Sequence, residues 1–146
     1  MPHGTVTAEI SPHVQQALIR IVGKENVICS EEELLVYECD AYTLEKNLPG
    51  AVVLPGNTDE VAAVVKLCAE HNLPIIPRGA GTSLSGSVLA VTGGVMIGLS
   101  RMNRILEIDP RNRRALVEAG CVNAWVTSAA KQFELFYAPD PSSQSA

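Results

Sequence analysis

Residues 51–86 read AVVLPGNTDEVAAVVKLCAEHNLPIIPRGAGTSLSG, and this stretch decides the fold. Residues 51–54 form a continuous apolar run closed by Pro55-Gly56, the pattern of a short strand buried on both faces. Asn57 caps a helix predicted to run to His71, with Glu60 three residues on and Val61, Val64, Val65 and Cys68 on the face turned to the core. A second short apolar run follows at residues 73–77. Strand, helix of about four turns and strand make a βαβ unit, with two parallel strands and a right-handed crossover.

The loop after the second strand carries the chemistry. It spans residues 78–86, RGAGTSLSG, at the C-terminal end of a parallel strand, where open sheets place their ligands. Gly79, Gly81 and Gly86 permit positive φ and close backbone approach, and consecutive N–H groups in such a turn form a concavity that suits an anion. Thr82, Ser83 and Ser85 add hydroxyls, and Arg78 places a permanent positive charge at the root. The loop therefore suits a phosphate or pyrophosphate; a loop that merely turns the chain is the alternative on composition. The dinucleotide fingerprint G-x-G-x-x-G fails, because Leu84 stands where the third glycine belongs and no helix pattern begins there. A P-loop fails too, since Ser87 and Val88 occupy the positions of its lysine and hydroxyl residue.

Upstream, Ser11-Pro12 opens an amphipathic helix on which Val14, Ala17, Leu18 and Ile21 repeat until Gly23 stops it. Ser30 and Glu33 form a capping-box pattern for a shorter helix through Leu34, Leu35 and Tyr37. Downstream of the loop the pattern changes to strands joined by turns: 94–99 after a turn at Thr92-Gly93, 105–108 before Asp109-Pro110, and 115–119 before Gly120. The last two read as a hairpin with Arg111, Arg113 and Arg114 as solvated charges at its tip. Residues 122–133 read as a helix with Val122, Trp125, Val126 and Ala129 in register, which favours core packing for Trp125 over the alternative of stacking on a bound ring system. A βαβ start, a glycine-rich loop and then antiparallel strands predict an α+β fold.

Bulk composition excludes several functions. Eleven Lys and Arg against sixteen Asp and Glu, with no basic cluster beyond the three hairpin arginines, argue against nucleic acid. No apolar run approaches the roughly 20 residues of a membrane span, and residues 1–5 lack the basic and apolar regions of a secretory signal, which makes the cytoplasm the default location. Cys29, Cys39, Cys68 and Cys121 contain no C-x-x-C pair and read as buried reduced thiols. His3, His13 and His71 are scattered, so no metal site is expected.

Three motifs in order, Tyr37-Glu38-Cys39-Asp40, the loop at 78–86, and Tyr137-Ala138-Pro139-Asp140-Pro141-Ser142-Ser143-Gln144, carry a resemblance to a family. The chain resembles the FAD-binding domain of the p-cresol methylhydroxylase and vanillyl-alcohol oxidase superfamily. Within it, the motifs are most similar to the FAD-linked component of glycolate oxidase and to related D-2-hydroxyacid (D-lactate) dehydrogenases. The resemblance implies that Arg78, Gly79, Ala80, Gly81, Thr82, Ser83 and Gly86 wrap the FAD pyrophosphate. It further implies that Pro139, Asp140, Ser142 and Ser143 lie on the other side of the cofactor, and that Pro55 lies near its adenosine half. The implied reaction is hydride transfer from a small 2-hydroxy acid to FAD. The implied partners are other glycolate oxidase subunits, an iron-sulfur subunit among them, which would bring the protein to a membrane. The family's catalytic groups and metal site match nothing in this sequence, so no residue here is assigned as catalytic. By the same resemblance, residues 1–47 form a helical arm and residues 48–146 the first part of an FAD-binding domain. That domain is expected to be incomplete, breaking off before a second glycine-rich stretch, which would leave the chain inactive alone. Two other readings are a non-catalytic nucleotide-binding or interaction module and another flavin oxidase of the superfamily.

Overall fold

A computed structural model of the chain describes residues 10–90, 93–139 and 142–146. The expectations for residues 1–9, the turn at Thr92 and the assignment of Asp140 lie outside these residues. Among the described residues the α-helices and strands follow in the order α1 (Pro12–Val22), β1 (Val27–Ile28), α2 (Glu31–Leu34), β2 (Ala51–Val53), α3 (Thr58–Glu70), β3 (Ile75–Arg78), β4 (Val95–Gly98), β5 (Ile105–Asp109), β6 (Arg114–Val117) and α4 (Asn123–Ala130). Helix and strand mix as the sequence predicts.

Four strands form one sheet in the order β1-β2-β4-β3. The parallel strands β2 and β3 are not neighbours, because β4 lies between them and pairs parallel with both: Ala51 and Ile75 each face Val95. This corrects the expectation that the chain turns antiparallel directly after the glycine loop. The inner strand β4 is the last of the four to appear in sequence, and its four residues are buried throughout, as a position with a partner on each side requires. The edge strand β1 pairs antiparallel with β2, and its two residues are too few to leave a periodic signal.

The strand residues alternate between two cores. Ala51, Val53, Val95 and Ile97 pack with Val14, Leu18 and Val22 of α1 and with Val64 and Cys68 of α3. Val52, Met96 and Ile76 face the other way and pack with Leu34, flanked by Tyr37 and Leu48. Both faces of the sheet are therefore covered, which explains the continuous apolar runs. Leu18 is fully buried, so Leu18→Ala should destabilise the chain by about 2–5 kcal/mol, read as a lower urea midpoint.

Several local expectations are refined. Asn57 caps α3 by accepting from the Glu60 amide at 2.9 Å, as its motif predicts. Val65, expected in the core, is 40% exposed, since α3 rests on the sheet through Val64 and Cys68 and Val65 lies about 100° further round. Ser30 bonds the Glu33 carboxylate and makes no side-chain bond to an α2 amide, so only part of the capping box forms. Trp125 is 47% exposed and not a core residue; α4 is short and buries Val126 and Ala130 instead. Cys68 alone among the cysteines is fully buried, while Cys29, Cys39 and Cys121 are half-buried and free.

β5 and β6 form a separate antiparallel hairpin with an irregularity between Ile105 and Glu107. Arg114 is not a free tip charge: it opens β6, with its guanidinium 3.3 Å from Asp109 and 3.7 Å from Glu107. At the base, Arg104 donates to Glu118 through its amide at 2.8 Å and through Nη2 at 2.6 Å. Hydrogen bonds from the Arg104 side chain hold the Glu118 carboxyl below its ordinary range, and those from the Asn112 side chain do the same for Asp109. A depressed folded pKa contributes stability that is present above the unfolded value and lost as pH falls through the folded one. The thermal midpoint should therefore drop as pH falls below the ordinary carboxylate range, about 4, and Glu118→Gln should flatten part of that drop.

Candidate functional site

β2, β3 and β4 run parallel, so the turn after β2, the glycine loop after β3 and the segment after β4 gather at one end of the sheet. In the loop, Gly81 and Gly86 adopt φ of +73° and +70°, which L side chains rarely take. Gly79 has no such angle; what distinguishes it is space, since a Cβ there would meet nothing within 4 Å. No amide from Gly79 through Leu84 donates a hydrogen bond among the described residues. Six consecutive unbonded N–H groups beside open space are the elements of an anion cradle.

The hydroxyls are organised around Ser83. Its Oγ accepts from Ser87 at 2.8 Å and from the Ser85 amide at 3.3 Å, and lies 3.0 Å from the Ser85 hydroxyl. Thr82 is exposed and makes no side-chain bond among the described residues.

Arg78 stands at the root of the loop as expected, and its guanidinium is held by the chain itself. Its Nη1 donates to the Cys39 carbonyl at 3.0 Å, its Cζ lies 5.6 Å from the Tyr37 ring centre, and its guanidinium fills the volume that a Cβ at Gly81 would need. The Tyr37-Glu38-Cys39-Asp40 motif thus docks on the loop from behind. The Ala41 amide donates to the Gly81 carbonyl at 3.1 Å, and the Tyr42 ring approaches Gly86. Asp40 is 5% exposed: Oδ1 accepts from the Tyr42 amide at 2.8 Å, and Oδ2 is sealed without a partner among the described residues. No sequence pattern linked positions 37–42 to a loop forty residues later; only the order of the motifs hinted at it.

The remaining candidates divide. Pro55, expected near the adenosine half of the cofactor, has a fully buried side chain, so its turn can offer a ligand only backbone. The turn around it is fixed by Arg101, which donates to the Leu54 carbonyl at 2.7 Å, and by Glu60, which accepts from the Gly56 amide at 2.7 Å. Pro139 and Ser143 belong to a segment tied to the start of α4. The Pro139 carbonyl accepts from Asn123 at 3.3 Å, and the Gln144 carbonyl accepts from the Ala124 amide at 2.9 Å. Asn123 Oδ1 is buried there without a partner among the described residues. Ser142 is exposed on the same segment. Among the described residues no group of three or more His, Cys, Asp or Glu is placed to hold a metal, and no helix is long and apolar enough to cross a membrane.

A family described as FAD binding domain matches residues 49–146. The glycolate oxidase subunit GlcD of Bacillus subtilis is 41% identical over 134 residues, covering 92% of this chain and 28% of the relative. A D-lactate dehydrogenase of Anaerostipes hadrus is 38% identical over 122 residues, covering 83% of this chain and 24% of the relative. Substrate-bound p-cresol methylhydroxylase superposes with a TM-score of 0.74 at 28% identity, over 84% of this chain and 25% of that structure. The chain thus spans about a quarter of the length of these relatives.

Proposed function

The chain belongs to the FAD binding domain family, and from that premise we propose that residues 78–86 cradle the FAD pyrophosphate in a flavin-dependent oxidoreductase acting on glycolate or a related small D-2-hydroxy acid such as D-lactate. The observation that carries the reading is the row of unbonded amides from Gly79 to Leu84 beside the open space at Gly79. The residues fit the group: amides and hydroxyls accommodate a pyrophosphate without a metal ion. FAD, when bound, supplies the acceptor for hydride from the carbon that bears the substrate hydroxyl.

This chain's own part is to bind and orient. Gly79, Ala80, Gly81, Thr82 and Ser83 hold the phosphates, and Gly86 turns the chain out of the cradle. Pro139, Ser142 and Ser143, on the segment beside α4, are proposed for the other side of the cofactor, as is Asp140. The functional unit is residues 48–146, and residues 1–47 are an arm whose helix α1 and residue Leu34 cover the two faces of the sheet. No side chain here is assigned to take the hydroxyl proton. The proposed setting is cytoplasmic, with association to further subunits, an iron-sulfur subunit among them.

FAD titration of the 146-residue chain, followed by flavin fluorescence, together with dye-linked oxidation of glycolate and D-lactate, tests this reading. We expect weak FAD binding and no turnover. Robust turnover would place catalytic groups within these residues, and complete absence of FAD binding would remove the cradle.

A further inference from the structure

We propose that Arg78 is a positioning residue, which shapes the glycine loop through Tyr37 and Cys39, and not the group that neutralises the pyrophosphate. The proposal rests on the reading of the loop as the FAD cradle. The Arg78 guanidinium is engaged on three sides by its own chain. It donates to the Cys39 carbonyl at 3.0 Å, lies over the Tyr37 ring at 5.6 Å and backs Gly81 closely enough to exclude a Cβ. A planar fork that can hydrogen-bond in its plane while stacking on its face is specific to arginine, and a lysine ammonium cannot do both.

The anchorage leads to the sheet. Tyr37 packs against the core cluster of Leu34, Val52, Ile76 and Met96, so the stacked guanidinium ties the loop to a rigid layer. The Ala41 amide, bonded to the Gly81 carbonyl, closes a second tie four residues later. With the loop fixed from behind, its free amides keep their direction before any ligand arrives. Affinity then derives from preorganisation more than from the charge of Arg78.

Amide hydrogen exchange on the 146-residue chain reads the tie without any ligand. Ala41 reports loop docking, and Val95, whose amide donates to the Pro74 carbonyl at 2.8 Å, reports the core. Arg78→Gln, Arg78→Lys and Tyr37→Leu should each speed exchange at Ala41 at least tenfold and leave Val95 unchanged. In FAD titrations the same variants should lose affinity about tenfold, with a salt dependence parallel to that of the unmodified chain. The Arg78→Gln/Tyr37→Leu double variant should fall within twofold of the weaker single variant, as two members of one unit do. Unchanged Ala41 exchange in Arg78→Gln, or a flattened salt dependence in Arg78→Gln together with full affinity in Arg78→Lys, overturns the proposal. If the unmodified chain binds no FAD, the cradle reading fails, and the exchange measurement still decides whether Arg78 holds the loop.

Discussion

Alanine at position 120 should destabilise the chain at or beyond the upper end of the roughly 1–3 kcal/mol that overpacking costs, lowering the thermal midpoint by on the order of 10 °C. Gly120 follows β6, where the hairpin meets the end of the main sheet, and its amide donates to the Met102 carbonyl at 2.8 Å. A Cβ there would overlap the Leu99 carbonyl oxygen, approach the Leu99 carbonyl carbon to 2.7 Å and stand 3.0 Å from the Met102 oxygen. These are backbone atoms, so no rotamer change relieves the clash. The φ angle is not in the left-handed region, which makes the expected cost purely steric. Circular dichroism melts of Gly120→Ala provide the check, and a midpoint equal to that of the parent would contradict the close approach.

The second large effect concerns ligand binding. Gly81→Val should reduce FAD affinity by more than tenfold, because the site has a φ of +73° and its Cβ position is filled by the Arg78 guanidinium. A left-handed conformation costs an L residue roughly 1–2 kcal/mol, and β-branching adds to that. Gly79→Ala separates ligand space from backbone strain. Its Cβ meets nothing within 4 Å and its φ is ordinary, so stability should stay within about 0.5 kcal/mol of the parent. FAD affinity should nevertheless fall several-fold if that space receives a phosphate. Paired fluorescence titrations and melts on the two variants read both quantities; parent-like affinity in Gly79→Ala would move the cradle elsewhere.

What the sequence revealed depended on whether a feature has a local signature. The caps at Ser11 and Asn57, the buried run of β2 and the hairpin before Gly120 are written in neighbouring residues, and each forms as read. The insertion of β4 between β2 and β3 is a non-local choice, invisible to periodicity, since its apolar run fits an edge position as well as a central one. Trp125 and Val65 show the matching error on helices: spacing identifies a stripe, and which edge of the stripe meets the sheet depends on how the helix is rolled. The glycine loop was legible from composition, but the partners of Arg78 were not. They come from a segment forty residues away whose approach only the fold defines.

The central position of β4 also bears on how the chain is made. Strands β2 and β3 leave the ribosome first, and neither has a parallel neighbour until residue 98 has emerged. At ~5–20 residues per second, β2 waits roughly 2–9 s for that partner, with only the two-residue β1 beside it. Val52 and Ile76 belong to a core that lacks Met96 throughout that interval, a period in which a nascent chain is open to aggregation or chaperone capture. The connection that must then swing β4 into the gap is residues 79–94, which contains the glycine loop. The stretch proposed to cradle the cofactor thus belongs to the connection between β3 and the strand that completes the sheet, and substitutions that stiffen or loosen it should alter the yield of folded protein as well as its affinity.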